Sequence, residues 1–317
     1  MKNLKKLPFI LSILSFLTLF TSANAEIKVV ASIKPIHSLA SYLMEGVGTP
    51  NLIVDGYASP HGFAMKPSHA KMLQEADLIF WVGEGLENFL EKPLKSIAKK
   101  AEKIELLEIK GLQKLKFREK NIFDEHDDHG HKEDKHDDHG HDDDGHKEDD
   151  HDDHDHDKDG HKEDDHDDHK EDGQEDHDDE KNASIYKSNL DKALKDIDKL
   201  ISDVKSELNK EISFIVFHDA YQYFEERFNV SVLGAFTVNT DIMPGAEQLS
   251  EIREIIEHDK VSCIFSEPQF NPDIINNVAK DMKIKTGVLD PLGATLNPGK
   301  DLYFDLIRNI SSSFKGC

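Results

Sequence analysis

"NASIYKSNLDKALKDIDKLISDVKSELNKE", Asn182–Glu211, decides how the rest of the chain is read. Leu190, Leu194, Ile197, Ile201, Val204 and Leu208 recur at intervals of 4, 3, 4, 3 and 4 residues. That period sets them on one stripe of a single long helix. Such a stripe serves a dimerising coiled coil or a bridge between two packed bodies. The run is short for a coiled coil, so a bridge is expected. What it bridges must lie in its flanks.

Both flanks alternate short β-rich runs with helical ones. Upstream, strands are expected at Ile27–Ser32, Asn51–Val54, Asp77–Val82 and, more weakly, Ile104–Leu107. Helices fall between them at Pro35–Met44, Pro67–Glu75 and Leu86–Lys100. Proline opens the first two, as suits a first helical turn. Downstream, strands are expected at Ser213–His218, Val230–Phe236, Val261–Phe265 and Ile284–Asp290. Helices follow each of them, at Ala220–Arg227, Ala246–Glu257, Pro272–Lys280 and Leu302–Phe314. Alternation of this kind implies parallel sheets with crossover helices. The expected fold is α/β: two parallel-sheet (βα) lobes, residues 26–123 and 212–317, joined by one long helix at 182–211.

Two segments stand outside that scheme. "MKNLKKLPFILSILSFLTLFTSANA", residues 1–25, has a basic start at Lys2, Lys5 and Lys6. Its apolar run, Pro8–Phe20, is too short to span a bilayer comfortably, and "ANA" at Ala23–Ala25 is a small-x-small cleavage site. This reads as a secretory signal peptide, with a mature chain beginning near Glu26 outside the cytoplasm. No later segment is apolar enough to cross a membrane.

The second segment is the tract at residues 124–181. From Asp124 to Glu180 it carries 31 acidic residues against 6 lysines, a net of −25. The whole chain is also −25, so the remainder is balanced. The acidity is local, says nothing about the fold and argues against nucleic acid as a partner. "GHKED" starts at Gly130, Gly145 and Gly160, and "HDDH" at His136, His151 and His166, a period of 15. With no apolar residues to bury, the tract is expected to be disordered without metal. It offers many shallow metal sites, each of which must order a flexible chain to bind. An accessory role, gathering or sensing metal, is therefore expected rather than the main site.

Three polar residues fall at the carboxyl ends of expected strands, where α/β sheets build their sites. His61 lies in the loop after the second strand, His218 ends the first strand of the second lobe, and Asp290 ends its last, in "VLDPLG". Two imidazoles and a carboxylate facing one cleft suit Zn²⁺. His37 is expected to pack; His69 and His258 read as exposed helix residues. No G-x-S-x-G elbow, P-loop, H-E-x-x-H or glycine fingerprint is present, so the chain does not read as an enzyme. Cys263 and Cys317 make an even pair in an oxidising compartment, which favours a disulfide over a buried Cys263 beside a free thiol.

The stretches "VVASIKPIHSLASYLMEGVG", "GYASPHGFAMKPSHAKMLQEADLIFWVGEGLENFL", "FHDAYQYFEERFNV", "MPGAEQLSEI", "CIFSEPQFNP" and "GVLDPLG" occur in a specific order. Together they resemble the periplasmic zinc-binding subunits of bacterial ABC importers, within the wider class of zinc and manganese receptors. The resemblance covers most of Ile27–Lys103 and of Phe214–Cys317. It implies a rigid bridging helix and metal bound between the lobes by His61, His218 and Asp290. It also implies the pairing of Cys263 with Cys317. Zinc-type relatives place histidine at position 218, where manganese types place glutamate, and nitrogen ligation favours zinc. Zinc would be the transported ligand, a membrane permease the partner, and the protein a monomer. Binding should weaken below about pH 6 as imidazoles protonate. A periplasmic zinc buffer acting through the tract is the alternative. One departure matters. The family follows its His-rich loop with a His-x-Trp segment supplying another ligand, and then a further helix. Here the tract runs almost directly into the bridging helix, and the single tryptophan is Trp81. A tract histidine such as His177 is expected to substitute, since 14 are tethered nearby at high effective concentration; water or an unfilled position are the other possibilities.

Overall fold

The structure, a computed structural model, describes residues 27–123, 175–208, 213–259 and 261–317, with backbone alone for residues 175–179. The expected signal peptide and residues 124–174 of the tract lie outside the described residues. No described helix is long and apolar enough to cross a membrane.

The first sheet comprises β1 (Val29–Ile33), β2 (Asn51–Val54), β3 (Leu78–Trp81) and β4 (Glu102–Glu105). Their order is β2-β1-β3-β4 and every pair is parallel. Every residue of β1 is buried, as a central parallel strand requires. The crossovers are α1 (Lys34–Leu43), α2 (Pro67–Glu75) and α3 (Asn88–Ser96). The second sheet repeats the topology with β5 (Ser213–His218), β6 (Ser231–Thr237), β7 (Cys263–Ser266) and β8 (Lys285–Val288), ordered β6-β5-β7-β8 and all parallel. Its helices are α5 (Gln222–Phe228), α6 (Ala246–His258), α7 (Asp273–Met282) and α8 (Leu302–Gly316). The disulfide expected between Cys263 and Cys317 is formed, tying the end of α8 to β7.

The bridging helix, α4, runs from Glu175 to Glu207, starting earlier than the expected Asn182. Its added turns are rich in Asp and Glu, which suit the positive end of a helix. The expected stripe holds from Ile197 on: Val204 is buried, and Ile197, Ile201 and Leu208 pack against the same core, beside Ala193 and Leu200. Leu190 and Leu194 depart from it, at 45% and 53% exposed. Polar groups fix this first half of the helix instead. Asn189 donates to the carbonyls of Leu43 and Glu45 at 2.9 Å, and Asp196 accepts from the Tyr42 hydroxyl. The helix docks on the end of α1 through these bonds, with small Ala193 between them. A count of apolar side chains cannot register that.

The two lobes exchange side chains. Tyr42 of α1 is buried in the second lobe's core with Phe304 and Val204. Leu292, just after β8, packs against the first lobe's core. The stretch before the tract crosses as well. It was expected to finish the first lobe at 123, but that lobe's last strand ends at Glu105, and Asn121–Phe123 lie antiparallel along the β6 edge. Ala235 N–H donates to Asn121 O and Phe123 N–H to Leu233 O, both at 2.8 Å. Gly234 permits the approach, since a β-carbon there would stand 2.7 Å from Asn121 O. Arg118 clamps this strap, donating to Glu225 at 2.8 and 3.1 Å and to Asp219 at 2.9 Å.

Both carboxylates of the Arg118 clamp are largely buried, so removing the cation leaves them uncompensated. Arg118→Ala is expected to lower unfolding stability by about 3 kcal/mol. Urea denaturation checks this, and a loss under about 0.5 kcal/mol, as at an ordinary surface site, would show that the clamp holds nothing.

Candidate metal centre

In sheets wound in this way, ligands bind beyond the carboxyl ends of the strands, where the strand order reverses. In the second lobe that point lies between β5 and β7. His218 ends β5 and Glu267 directly follows β7. Their side chains meet there: His218 Nδ1 donates to Glu267 Oε1 at 2.7 Å. The same oxygen accepts from the Tyr221 hydroxyl at 3.1 Å. Burial pushes that phenol well above its ordinary range, so it remains a donor. The bond to Nδ1 fixes the imidazole tautomer and leaves the Nε2 lone pair free, the arrangement by which carboxylates orient metal-binding histidines. Phe270 packs edge-on against the His218 ring, with centroids 5.7 Å apart.

His61 approaches from the first lobe, on the loop between β2 and α2. Its backbone N–H donates to Ser59 Oγ at 3.2 Å, and Gly62 turns the chain with φ of +68°. The His61 and His218 rings stand perpendicular, their centroids 6.0 Å apart. A zinc ion about 2 Å from one nitrogen of each ring needs centroids about 5 Å apart, so the two rings stand near bridging distance. Burial holds the His61 imidazole below its ordinary value, and neighbouring His218 lowers it further, against a smaller upward pull from Asp241. The balance favours the neutral imidazole, the form that ligates.

Asp290 lies just beyond β8. Its Oδ1 accepts from the N–H groups of Leu292 and Gly293 and from Gln269 Nε2, and its Oδ2 from Ala294 N–H at 2.6 Å. Oδ2 therefore keeps lone-pair capacity. The structure brings His61 and His218 together but does not gather Asp290 with them. Among the described residues, no three His, Cys, Asp or Glu side chains form a ready metal cage. His177 falls in the first turns of α4, and its side chain lies outside the described residues.

The remaining described histidines, His37, His69 and His258, lie away from this pair. His37 Nε2 meets the Pro50 carbonyl at 3.0 Å, in keeping with packing, and His258 is exposed. His69 corrects the expectation of exposure. It is buried, stacks on Phe63 and accepts from Lys66 N–H at 3.2 Å, capping α2. Glu267 is the residue that sequence reasoning passed over. The available signal was an acid immediately after a core strand, in "CIFSEPQF". Two acceptors in this stretch, Glu267 Oε2 and Gln269 Oε1, are buried without a hydrogen-bond partner among the described residues, a surplus of acceptors that suits a cation.

Over residues 29–317 the chain matches the family model described as zinc-uptake complex component A, periplasmic, or ZnuA. The chain belongs to the ZnuA family. It is 41% identical over 331 residues to the high-affinity zinc uptake system protein ZnuA of Brucella abortus, covering 100% of this chain and 99% of that protein. The Yersinia pestis protein of the same name is 34% identical over 304 residues, covering 92% of each. A crystal structure of ZnuA superposes with a TM-score of 0.63 at 17% identity, covering 90% of this chain and 98% of that one, a likeness of fold. The family is one of solute-binding transport receptors, not enzymes, and it is periplasmic.

Partners that orient a metal-binding histidine are typically worth about 10- to 100-fold in affinity. Glu267→Ala is expected to weaken the tightest zinc site by that amount. Glu267→Gln, whose carbonyl can still accept from Nδ1, should recover most of it. Chelator competition measures both, and full affinity in Glu267→Ala would remove Glu267 from the site.

Proposed function

We propose that this chain is a periplasmic receptor that captures Zn²⁺ in the cleft between its lobes and delivers it to the permease of a high-affinity zinc ABC importer. The observation carrying this reading is the meeting of His61 and His218 across the cleft, with Glu267 fixing the tautomer of His218. Imidazole nitrogens as ligands favour zinc over harder divalent ions. Asp290 is assigned as the third ligand. Its place rests on the family resemblance and on the remaining lone-pair capacity of Oδ2. It would supply the negative charge that two imidazoles lack.

Zn²⁺ is the cargo, not a resident cofactor. The signal peptide at residues 1–25 directs export, and the mature protein works as a monomer with no nucleic-acid partner. The tract gathers zinc on its many histidines and carboxylates and passes it inward, and one of its histidines completes the coordination. The lobes are tied by α4 and by the exchange of Tyr42 and Leu292, which limits wide hinge opening. Release therefore needs the permease to shift the loops that carry the ligands.

Deleting residues 124–174 tests this reading. Zinc titration of the shortened protein is expected to retain one tight site, with manganese competing poorly. His218→Ala in that background should abolish the site, a loss beyond the 10- to 100-fold typical of an orienting partner. Disappearance of tight binding along with the tract would instead mark the protein as a zinc buffer.

A further inference from the structure

Lys34 is a buried cation between the lobes that the metal site, as described, does not use. It is the first residue of α1, at the carboxyl end of β1, where the first sheet reverses its strand order. Its side chain is 4% exposed. The ammonium stands 3.2 Å from Asp55 Oδ1, and Asp55 directly follows β2 and begins the loop that carries His61. It also donates across the cleft to three carbonyls of the second lobe: Gly293 at 3.1 Å, Ala294 at 3.1 Å and Leu296 at 3.0 Å.

Those carbonyls belong to the loop that holds Asp290. The N–H groups of Leu292, Gly293 and Ala294 point to the Asp290 carboxylate, while the carbonyls of Gly293 and Ala294 point to Lys34. The loop is thus polarised between an anion on one side and a cation on the other. Gly293, with φ of +70°, lets successive N–H groups turn to the same anion. Half-buried Leu292 rests the loop against the first lobe's core. A buried ammonium is costly unless its hydrogen bonds are met, and here the carbonyls of the opposite lobe meet them.

We propose that Lys34 is a positioning residue for zinc binding: an ammonium strut that joins the root of the His61 loop to the Asp290 loop and sets their spacing across the cleft. This rests on the receptor reading and adds a residue to it that touches no ligand to the ion. Without the strut the Asp290 loop keeps its own amide bonds to the carboxylate but loses its polar tie to the first lobe, leaving the Leu292 contact alone.

The test uses the full chain with two variants. Lys34→Met keeps the stem and removes the charge and donors; Leu292→Ala loosens the same loop without touching a charge. Chelator competition with Zn²⁺ reads the tight site. Amide hydrogen exchange without zinc reads the loop, with Ile215–Phe217 in β5 reporting that the fold is intact. Both variants should exchange faster at Leu292–Ala294, with unchanged protection in β5. Both should bind zinc about 10- to 100-fold more weakly, as expected of outer groups that hold ligands in place. Unchanged loop exchange in Lys34→Met would overturn the proposal, as would faster exchange with full zinc affinity. If Lys34→Met loses β5 protection as well, Leu292→Ala decides by the same two readings. A wild-type chain without a tight cleft site would overturn the receptor reading, an outcome distinct from a tight wild type matched by equally tight variants.

Discussion

Tyr42 from the first lobe lies in the second lobe's core, and Leu292 from the second packs against the core of the first. This exchange of apolar side chains is the constraint on which the site depends. A metal held by side chains from two bodies is bound tightly only if the bodies keep their spacing before the ion arrives. Displacing either plug would expose buried apolar surface, so wide opening is opposed by the same force that folds the lobes. The long helix and the Arg118 strap add two further ties, each joining polar bonds to apolar packing.

Much of the architecture was legible in the sequence because the sheets are parallel. Strands buried on both faces read as continuous apolar runs, and VVASI and SFIVFH stand out on that account. The bridging helix was legible as a helix, and its stripe from Ile197 on does face the core. Its first half was not, because Asn189 and Asp196 dock there by hydrogen bonds to the end of α1, and Leu190 and Leu194 are left outside. The strap at Asn121–Phe123 escaped notice because it is short and its pairing with β6 is specified by a glycine far along the chain, at Gly234.

The candidate site was partly legible for a related reason. Histidine at a strand end is visible, and His61 and His218 do meet. The groups that orient them are less visible, because Glu267 and Lys34 look like ordinary surface residues until the fold buries them. Asp290 shows the opposite limit. Its position after β8 was legible, yet its carboxylate is tied to its own loop, and no pattern in the sequence announces that. The charge of the tract hides all of this at the level of composition. A chain of net −25 looks strongly acidic, while the lobes that build the cleft are close to neutral.

The most direct measurement is a crystal structure of the full chain with a single equivalent of zinc, the ion located by its anomalous scattering. One strong peak is expected within bonding distance of nitrogens of both His61 and His218. A strong peak held by other residues, with the two imidazoles still facing each other unbridged, would contradict it.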